Sequence, residues 1–229
     1  MNISDLQKKW EYLAEVDPLW AILSDDTKKG GKWNIDEFFQ VGRKDAQNFI
    51  NLAKHIHPNL NYGKALDFGC GVGRLTQGHA SFFEKIIGVD VSTRMIELAN
   101  KLNQHQAKIS YLANNCSSLH VFDDNSFDYI ICHIVLQHTP PTIHQSYIQE
   151  FVRILKPNGF CIFQLPEPFP ESWGSERFDE TSKDKLDMYG TSKEEVIEIV
   201  KSRNGHILDV EDDGSCGPDH KSNRYCFTV

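Results

Sequence analysis

Short apolar runs alternate with longer amphipathic segments from residue 64 onward. An apolar run that ends in glycine or polar residues is typical of a buried strand, whereas apolar residues at helical spacing indicate a helix. The pattern predicts strands at 64–68, 85–90, 108–112, 127–132 and 159–165, and helices at 72–82, 93–105 and 140–155. The residues of 156–159, with a proline, an asparagine and a glycine, predict a turn before the fifth strand. Such an order predicts an α/β fold in which a mostly parallel sheet carries helices on both faces.

The first part of the chain has a helical pattern without strands. We predict a first helix from the spacing of its apolar residues, and a second helix that starts at Asp17, just before a proline. The glycines and lysines of 27–33 indicate a loop, and Asn34 can cap a long third helix. We therefore expect residues 1–62 to form an N-terminal helical cap and 63–229 to form the sheet domain.

The alternating pattern stops at residues 166–190, which contain three prolines and several aromatic residues. A helix is predicted after this segment at 191–203, followed by strands near 206–212 and 223–229. We expect 166–190 to be an insertion in the sheet domain.

The most informative stretch is 66–76, with the sequence LDFGCGVGRLT. Its apolar start predicts a buried strand, and its glycines predict a tight loop that opens into a helix. Glycine suits such a loop because it adopts positive φ and has no Cβ to hinder a ligand. The spacing is G-x-G-x-G, and Arg74 stands where a dinucleotide-binding fingerprint would have its third glycine.

Four more motifs follow in order: VDVSTRMI at 89–96, NNCSSL at 114–119, SFDYIICHIVLQH at 126–138 and FVRILKPNGF at 151–160. Together with the glycine stretch they resemble the class I S-adenosylmethionine (SAM)-dependent methyltransferases of the small-molecule branch. The resemblance covers roughly residues 64–165. It implies a Rossmann-like, seven-stranded, mostly parallel sheet whose last two strands form an antiparallel hairpin. It also implies SAM as the cofactor.

Composition and charge limit the partners and the compartment. The net charge of −8 argues against a nucleic-acid-binding surface, where a basic stripe is expected. The six cysteines form no C-x-x-C pair, so we expect reduced thiols and neither a disulfide framework nor a metal site. The start of the chain lacks the apolar core of a signal peptide, and no apolar run is long enough to span a bilayer. We expect a soluble, cytoplasmic protein without a membrane partner, and leave its oligomeric state open.

The resemblance implies a role for each residue of the glycine loop. The backbone of Gly69, Cys70 and Gly71 would surround the methionyl part of SAM, and Gly73 completes the motif. Asp67 would hold the ammonium group, directly or through water. A turn-capping role for Asp67 is the alternative.

Asp90 ends the second predicted strand, and a carboxylate at this place can accept hydrogen bonds from both ribose hydroxyls. Capping of the next helix is the alternative role for Asp90, but Ser92 is better placed for it. The resemblance places Val91 and Met95 beside the adenine.

The adenine end departs from the commonest pattern of the family, which has an acidic residue after the third strand. Asn115 stands there, followed by Cys116. The side-chain carbonyl of Asn115 can still accept a hydrogen bond from the adenine amino group, and the backbone of Cys116 can reach the ring edge.

Two arginines are candidates for binding the cofactor carboxylate, because a guanidinium matches a carboxylate bidentately. The resemblance to metabolite methyltransferases with a helical cap supports Arg43, which lies on the long N-terminal helix. Arg74, at the start of the helix after the glycine loop, is its rival. A solvent-exposed surface role for Arg43 stays open.

Two histidines follow the fourth predicted strand and are candidate catalytic bases. His133 comes directly after the strand and is also a candidate cofactor contact, and His138 begins the turn before the next helix. A neutral imidazole can take the proton of an acceptor hydroxyl at cellular pH. Simple packing of one or both histidines is the alternative.

The insertion at 166–190 and the N-terminal helices are candidates for the lid over the acceptor. The aromatic residues of the insertion can supply an apolar wall for the acceptor site. These residues are Phe169, Trp173, Phe178 and Tyr189.

We therefore expect a SAM-dependent methyltransferase that acts on a small molecule, such as a hydroxyl of a sugar or secondary metabolite. One alternative is a SAM-binding module without catalytic activity. The other is a nicotinamide-dependent oxidoreductase. The presence of Arg74 at the position of the third glycine of the dinucleotide-binding fingerprint argues against it.

Overall fold

The computed structural model describes residues 1–170 and 187–229. Its strands are β1 (Lys64–Phe68), β2 (Lys85–Asp90), β3 (Ile109–Ala113), β4 (Phe127–Cys132), β5 (Leu155–Pro166), β6 (His206–Asp212) and β7 (Ser222–Thr228). They form a seven-stranded sheet in the order β3-β2-β1-β4-β5-β7-β6. The predicted Rossmann-like, mostly parallel sheet is confirmed.

The α-helices of the described chain come before, between and after these strands. They are α1 (Ile3–Val16), α2 (Pro18–Ile22), α3 (Ile35–Ile56), α4 (Arg74–Gly78), α5 (Thr93–Leu102), α6 (Pro141–Ile154) and α7 (Lys193–Ser202). Among the described residues, no helix is long and apolar enough to cross a membrane.

The chain divides into two compact units, one of Ile3–Asn115 and one of Met1–Asn2 with Cys116–Val229. The first unit contains β1, β2 and β3, which pair in parallel. It also contains α1, α2 and α3, so the predicted helical cap at 1–62 lies almost wholly inside this unit.

The second unit contains β4 to β7. The strands β4 and β5 pair in parallel, whereas β7 pairs antiparallel with both β5 and β6. The antiparallel hairpin predicted for the last two strands is therefore confirmed.

The start of β5 differs from its prediction. The segment 156–159 was expected to be a turn, but it belongs to the strand, which begins at Leu155. Asn158 adopts a positive φ of 61°, and the pairing of β4 with β5 shifts register between Phe127 and Tyr129. Such a bulge accommodates extra residues, so the strand continues through this segment. The turn-forming residues at 156–159 gave no indication of this.

The predicted starts of two N-terminal helices are confirmed. The Asp17 carboxylate caps α2 and also accepts hydrogen bonds from the Gly30 and Gly31 amides at 2.8 and 2.9 Å. The Asn34 side chain caps α3 by accepting from its first amides. These polar contacts fold the segment before α3 back onto α2.

The N-terminal helices pack against the glycine loop and α5 through a small apolar cluster. Its buried members come from α1, α3, the glycine loop and α5: Ala14, Phe38, Phe39, Val72 and Met95. Partly buried Trp10, Ile22 and Trp33 extend the cluster. Burial of this apolar area ties the helical cap to the region that carries the candidate cofactor residues.

Candidate functional site

Several backbone amides of the glycine loop that follows β1 have acceptors within the protein. Gly69, Gly71 and Gly73 adopt φ values of 76°, 53° and 85°. The amides of Gly69 and Cys70 both donate to the Val89 carbonyl, at 2.7 and 3.0 Å, and the Gly73 amide donates to the Cys70 carbonyl at 2.9 Å. The loop is thus held by β2, and these amides are not available to a phosphate group.

Gly73 is needed for a second reason, which is its closeness to Tyr111. A Cβ on Gly73 would lie 2.1 Å from the Tyr111 hydroxyl oxygen. Tyr111 lies opposite Gly88 in the pairing of β2 with β3, and its ring occupies the space that a side chain at Gly88 would need. The Tyr111 ring therefore packs against the glycine loop. The sequence analysis did not identify Tyr111, although a glycine inside a predicted strand, here Gly88, can indicate the close approach of another group.

Asp90, at the end of β2, is buried and linked to the glycine loop. One carboxylate oxygen, Oδ2, accepts from the Gly71 amide at 2.8 Å, and the other, Oδ1, accepts from the Ser92 amide at 2.9 Å. An ionised carboxylate offers about four acceptor positions, so acceptor capacity remains for a ligand. Burial raises the pKa of Asp90 from 3.8 to about 6, against the lowering effect of these hydrogen bonds.

Asp67, in β1, is a second buried carboxylate in this unit. The Thr76 hydroxyl donates to its Oδ2 at 2.6 Å, which joins β1 to α4. Burial raises the pKa of Asp67 to about 6, and the nearby charge of Asp90 adds to the rise. Among the described residues, neither Asp67 nor Asp90 forms an ion pair, so a ligand that brings positive charge would be favoured here. Thr76 was not recognised from the sequence, where a threonine in an amphipathic helix gives no signal.

The two candidate arginines have different surroundings. Arg74 is buried and its guanidinium donates to the Asp45 carboxylate of α3. Arg43 lies on the exposed side of α3. The structure thus gives Arg74 a protein carboxylate as a partner, while Arg43 stays accessible to solvent.

The candidate adenine contacts lie in separate environments. Val91 is half-buried, and Met95 is fully buried in the apolar cluster beneath the N-terminal helices. Asn115 is exposed. In the second unit, Cys116 is also exposed, and its carbonyl accepts a hydrogen bond from the Tyr147 hydroxyl at 2.7 Å. Ser92 caps α5, as predicted, by accepting from the Met95 amide.

His138 belongs to a row of buried polar side chains in the second unit. The Gln164 amide nitrogen donates to the Gln137 Oε1 at 3.0 Å, and the Gln137 amide nitrogen lies 3.2 Å from His138 Nε2. The other ring nitrogen, Nδ1, lies 3.1 Å from the Asp187 carbonyl. Because a carbonyl only accepts and an amide nitrogen only donates, the proton of the neutral ring is on Nδ1 and Nε2 is the acceptor.

Burial also determines the charge of His138. It lowers the pKa of the ring to about 4, although the carbonyl of Asp187 works in the opposite direction. The imidazole is therefore neutral at cellular pH, as a base must be. The carbonyl oxygen of Gln164 in the same row is buried and has no hydrogen-bond partner among the described residues.

His133 lies just after β4 and is half-buried. The next residue, Ile134, adopts a φ of 57°, which is unfavourable for a β-branched side chain. The backbone thus changes direction after His133, between the two candidate histidines.

The aromatic residues of the 166–190 segment are described only in part. Phe169 stacks on His220, with ring centroids 4.0 Å apart. The Tyr189 amide donates to the Gln137 carbonyl at 2.7 Å, so the end of the segment contacts the residue before His138. Trp173 and Phe178 lie outside the described residues.

Comparison with known proteins finds similarity to methyltransferases. Residues 66–163 match the family model described as "Methyltransferase domain". A ubiquinone biosynthesis O-methyltransferase from Coxiella burnetii is 34% identical over 130 residues, which cover 54% of this chain and 53% of that protein. The chain spans about half the length of such curated relatives.

Solved structures share the fold at low sequence identity. A SAM-dependent methyltransferase from Clostridium acetobutylicum superposes with a TM-score of 0.63 at 18% identity, over 80% of this chain and 90% of that one. Magnesium protoporphyrin IX methyltransferase from Synechocystis PCC 6803, with bound SAH, gives 0.69 at 17% identity over 99% and 98%. The resemblance seen in the motifs is confirmed by the match of residues 66–163 to the methyltransferase-domain model, and the solved structures share the fold.

Proposed function

We propose that the protein is a SAM-dependent methyltransferase whose acceptor is a hydroxyl group of a small molecule. The observation that carries the cofactor part is the buried Asp90 carboxylate, which the Gly71 and Ser92 amides hold in place and which keeps acceptor capacity for a ligand. Two ribose hydroxyls are the matching donors. Bound at this site, SAM supplies an electrophilic methyl group on its sulfonium.

The charges of the site suit the same cofactor. Asp67 and Asp90 are buried carboxylates without an ion-pair partner among the described residues, and burial raises the pKa of both. A ligand with an ammonium and a sulfonium group would compensate this charge, with Asp67 facing the ammonium. A dinucleotide would instead add negative phosphates beside a loop whose amides at 69, 70, 71 and 73 already have acceptors. The nicotinamide alternative is therefore disfavoured.

The acceptor part of the proposal rests on the second unit. His138 is neutral at cellular pH, and its Nε2 can accept a proton if the Gln137 amide releases it. The buried Gln164 carbonyl oxygen is a ready acceptor for a donor group such as a hydroxyl. Several relatives bear the name ubiquinone biosynthesis O-methyltransferase, which supports oxygen as the methylated atom. His133 is the second candidate base.

We also propose a reducing compartment such as the cytoplasm. All six cysteines are free, and four of them are buried. Disulfides are rare in that compartment, where thiols stay reduced.

Calorimetric titration with SAM, SAH and NAD tests the cofactor, and SAH release with a panel of phenols, catechols, sugars and amines tests the acceptor. We expect binding of SAM and SAH but not NAD, and turnover with at least one hydroxyl compound. Binding of NAD in place of SAM would refute the proposal. Binding of SAM with turnover on amines alone would refute the hydroxyl acceptor.

A further inference from the structure

The start of α5 is completed by a residue from the N-terminal helix. The first four amides of a helix have no partner inside the helix. In α5, the Met95 amide donates to the Ser92 hydroxyl at 3.1 Å and the Ile96 amide to the Ser92 carbonyl at 3.2 Å. The first two amides, of Thr93 and Arg94, donate to the Glu11 carboxylate at 2.7 and 3.1 Å. Glu11 therefore supplies the half of the cap that the local sequence does not.

The same carboxylate is connected to the candidate ribose contact. The Ser92 hydroxyl, which is fully buried, donates to Glu11 Oε2 at 3.0 Å. The Ser92 amide donates to Asp90 Oδ1 at 2.9 Å, and Asp90 Oδ2 accepts from the Gly71 amide at 2.8 Å. A continuous row of hydrogen bonds thus runs from Glu11 through Ser92 and Asp90 to the glycine loop.

Apolar contacts also connect the N-terminal helices with the glycine loop and α5. A Cβ on Gly71 would lie 2.5 Å from Cδ1 of Ile22, so the end of α2 is in contact with the glycine loop. Ala14 of α1 and Met95 of α5 share the apolar cluster. The polar row and the cluster together fix α1 and α2 against the segment that carries Asp90.

We infer that Glu11 is a positioning residue for the cofactor: it orients Ser92 and Asp90, and it couples docking of the N-terminal helices to SAM binding. The inference rests on the proposed function, in which Asp90 holds the ribose. Glu11 is suited to this role because its negative charge lies at the amino end of α5, where the helix dipole favours it.

The chain offers a matched control in Glu15. It lies one turn further along α1 and forms an ion pair with Arg94, so it too links α1 to α5. Its side chain is 65% exposed, and that of Arg94 is 49% exposed. Exposed pairs contribute little to stability. Within the described part of the chain, Glu15 bonds to Arg94 and forms no hydrogen bond with Ser92 or Asp90. Glu15→Ala removes the same charge from the same helix without breaking the row.

The test uses the full chain and the variants Glu11→Ala, Glu11→Gln and Glu15→Ala. Calorimetry gives the Kd values for SAM and SAH, and thermal melting gives the stability of each ligand-free variant. We expect SAM to bind roughly 10- to 100-fold more weakly to Glu11→Ala, as expected for loss of one or two supporting charge-assisted hydrogen bonds. Glu11→Gln should fall between, because its amide keeps one acceptor oxygen, and Glu15→Ala should stay within about twofold of the parent.

Two outcomes would overturn the inference. In the first, Glu11→Ala melts at a lower temperature but binds SAM with the parental Kd, which would make Glu11 a structural cap alone. In the second, hydrogen exchange of the Gly71 and Ser92 amides is equally slow in the parent and in Glu11→Gln. This second measurement needs no cofactor, so it decides on Glu11 even if the parent fails to bind SAM, a result that would refute the proposed function.

Discussion

Replacement of Asp90 by asparagine should separate cofactor binding from stability. The asparagine oxygen can accept from only one of the Gly71 and Ser92 amides, and its NH2 group would face the other donor. The change also removes the charge that the ribose hydroxyls would meet. Hydrogen bonds to a charged group contribute about 1.5–3 kcal/mol, so we expect SAM to bind roughly 10- to 150-fold more weakly.

The free energy of unfolding should change much less. The pKa of Asp90 is raised from 3.8 to about 6, a shift of roughly two units. Keeping this carboxylate ionised at pH 7 therefore costs about 3 kcal/mol, which Asp90→Asn relieves. The unsatisfied backbone donor costs about 1–3 kcal/mol in the opposite direction. The two effects nearly cancel, so the variant should melt within a few degrees of the parent while losing affinity.

The raised pKa also predicts a pH dependence with a definite sign. The contribution of Asp90 to stability is fully present below its unfolded pKa of 3.8 and is lost as the pH rises through about 6. Affinity for SAM should change in the opposite sense and increase as the pH rises through about 6, because the ionised carboxylate is the better acceptor.

Calorimetric titration between pH 5 and 8, together with thermal melting, measures both effects. Asp123→Asn is the matched control, because Asp123 is exposed and lies in the second unit. A folded Asp90→Asn protein that binds SAM with the parental Kd at pH 7.5 would refute the assignment of the ribose contact. A variant that melts far below the parent would contradict the expected stabilisation from removing a buried charge.

Two further predictions concern the glycine loop and the candidate base. Gly73→Ala should lower both the melting temperature and SAM affinity, because the φ of 85° at this position is unfavourable for alanine and the new Cβ would clash with Tyr111. A Gly73→Ala, Tyr111→Leu double variant that recovers neither the melting temperature nor the affinity would contradict the clash. His138→Ala should reduce kcat by about 10²–10⁴-fold with little change in the Kd for SAM. At saturating SAM, the parental kcat should fall only as the pH drops through about 4, the pKa of His138; full activity of His138→Ala beside an inactive His133→Ala would assign the role to His133 instead.

The sequence predicted those elements whose boundaries are marked by local chemistry. The strands at 64–68, 85–90 and 127–132 have the expected bounds, because each apolar run is limited by charged, polar or glycine residues. Ser92 caps α5 as expected, because capping depends on the three residues that follow it. The error at 156–159 arose where turn-forming residues are accommodated inside a strand, which depends on the neighbouring strand.

Contacts between distant parts of the chain could not be predicted from the sequence. Arg74 pairs with Asp45 because α3 packs against α4, and nothing local indicates that partner. The Thr76 bond to Asp67 and the support of the glycine loop by Tyr111 likewise depend on how strands and helices meet. The motif identified the glycine loop and its acidic residues. The residues that hold them in place come from distant parts of the chain and could be identified only from the fold.

The link between Glu11 and α5 also has a consequence for the order in which the chain is made. Glu11 precedes its partner amide at Thr93 by 82 residues. At about 5–20 residues per second, the ribosome needs on the order of 4–16 s to synthesise that stretch. During this interval the Glu11 carboxylate lacks the α5 amides that it caps in the folded protein. Glu11 is therefore made well before the helix that it caps, and its contacts with that helix form only after α5 has been synthesised.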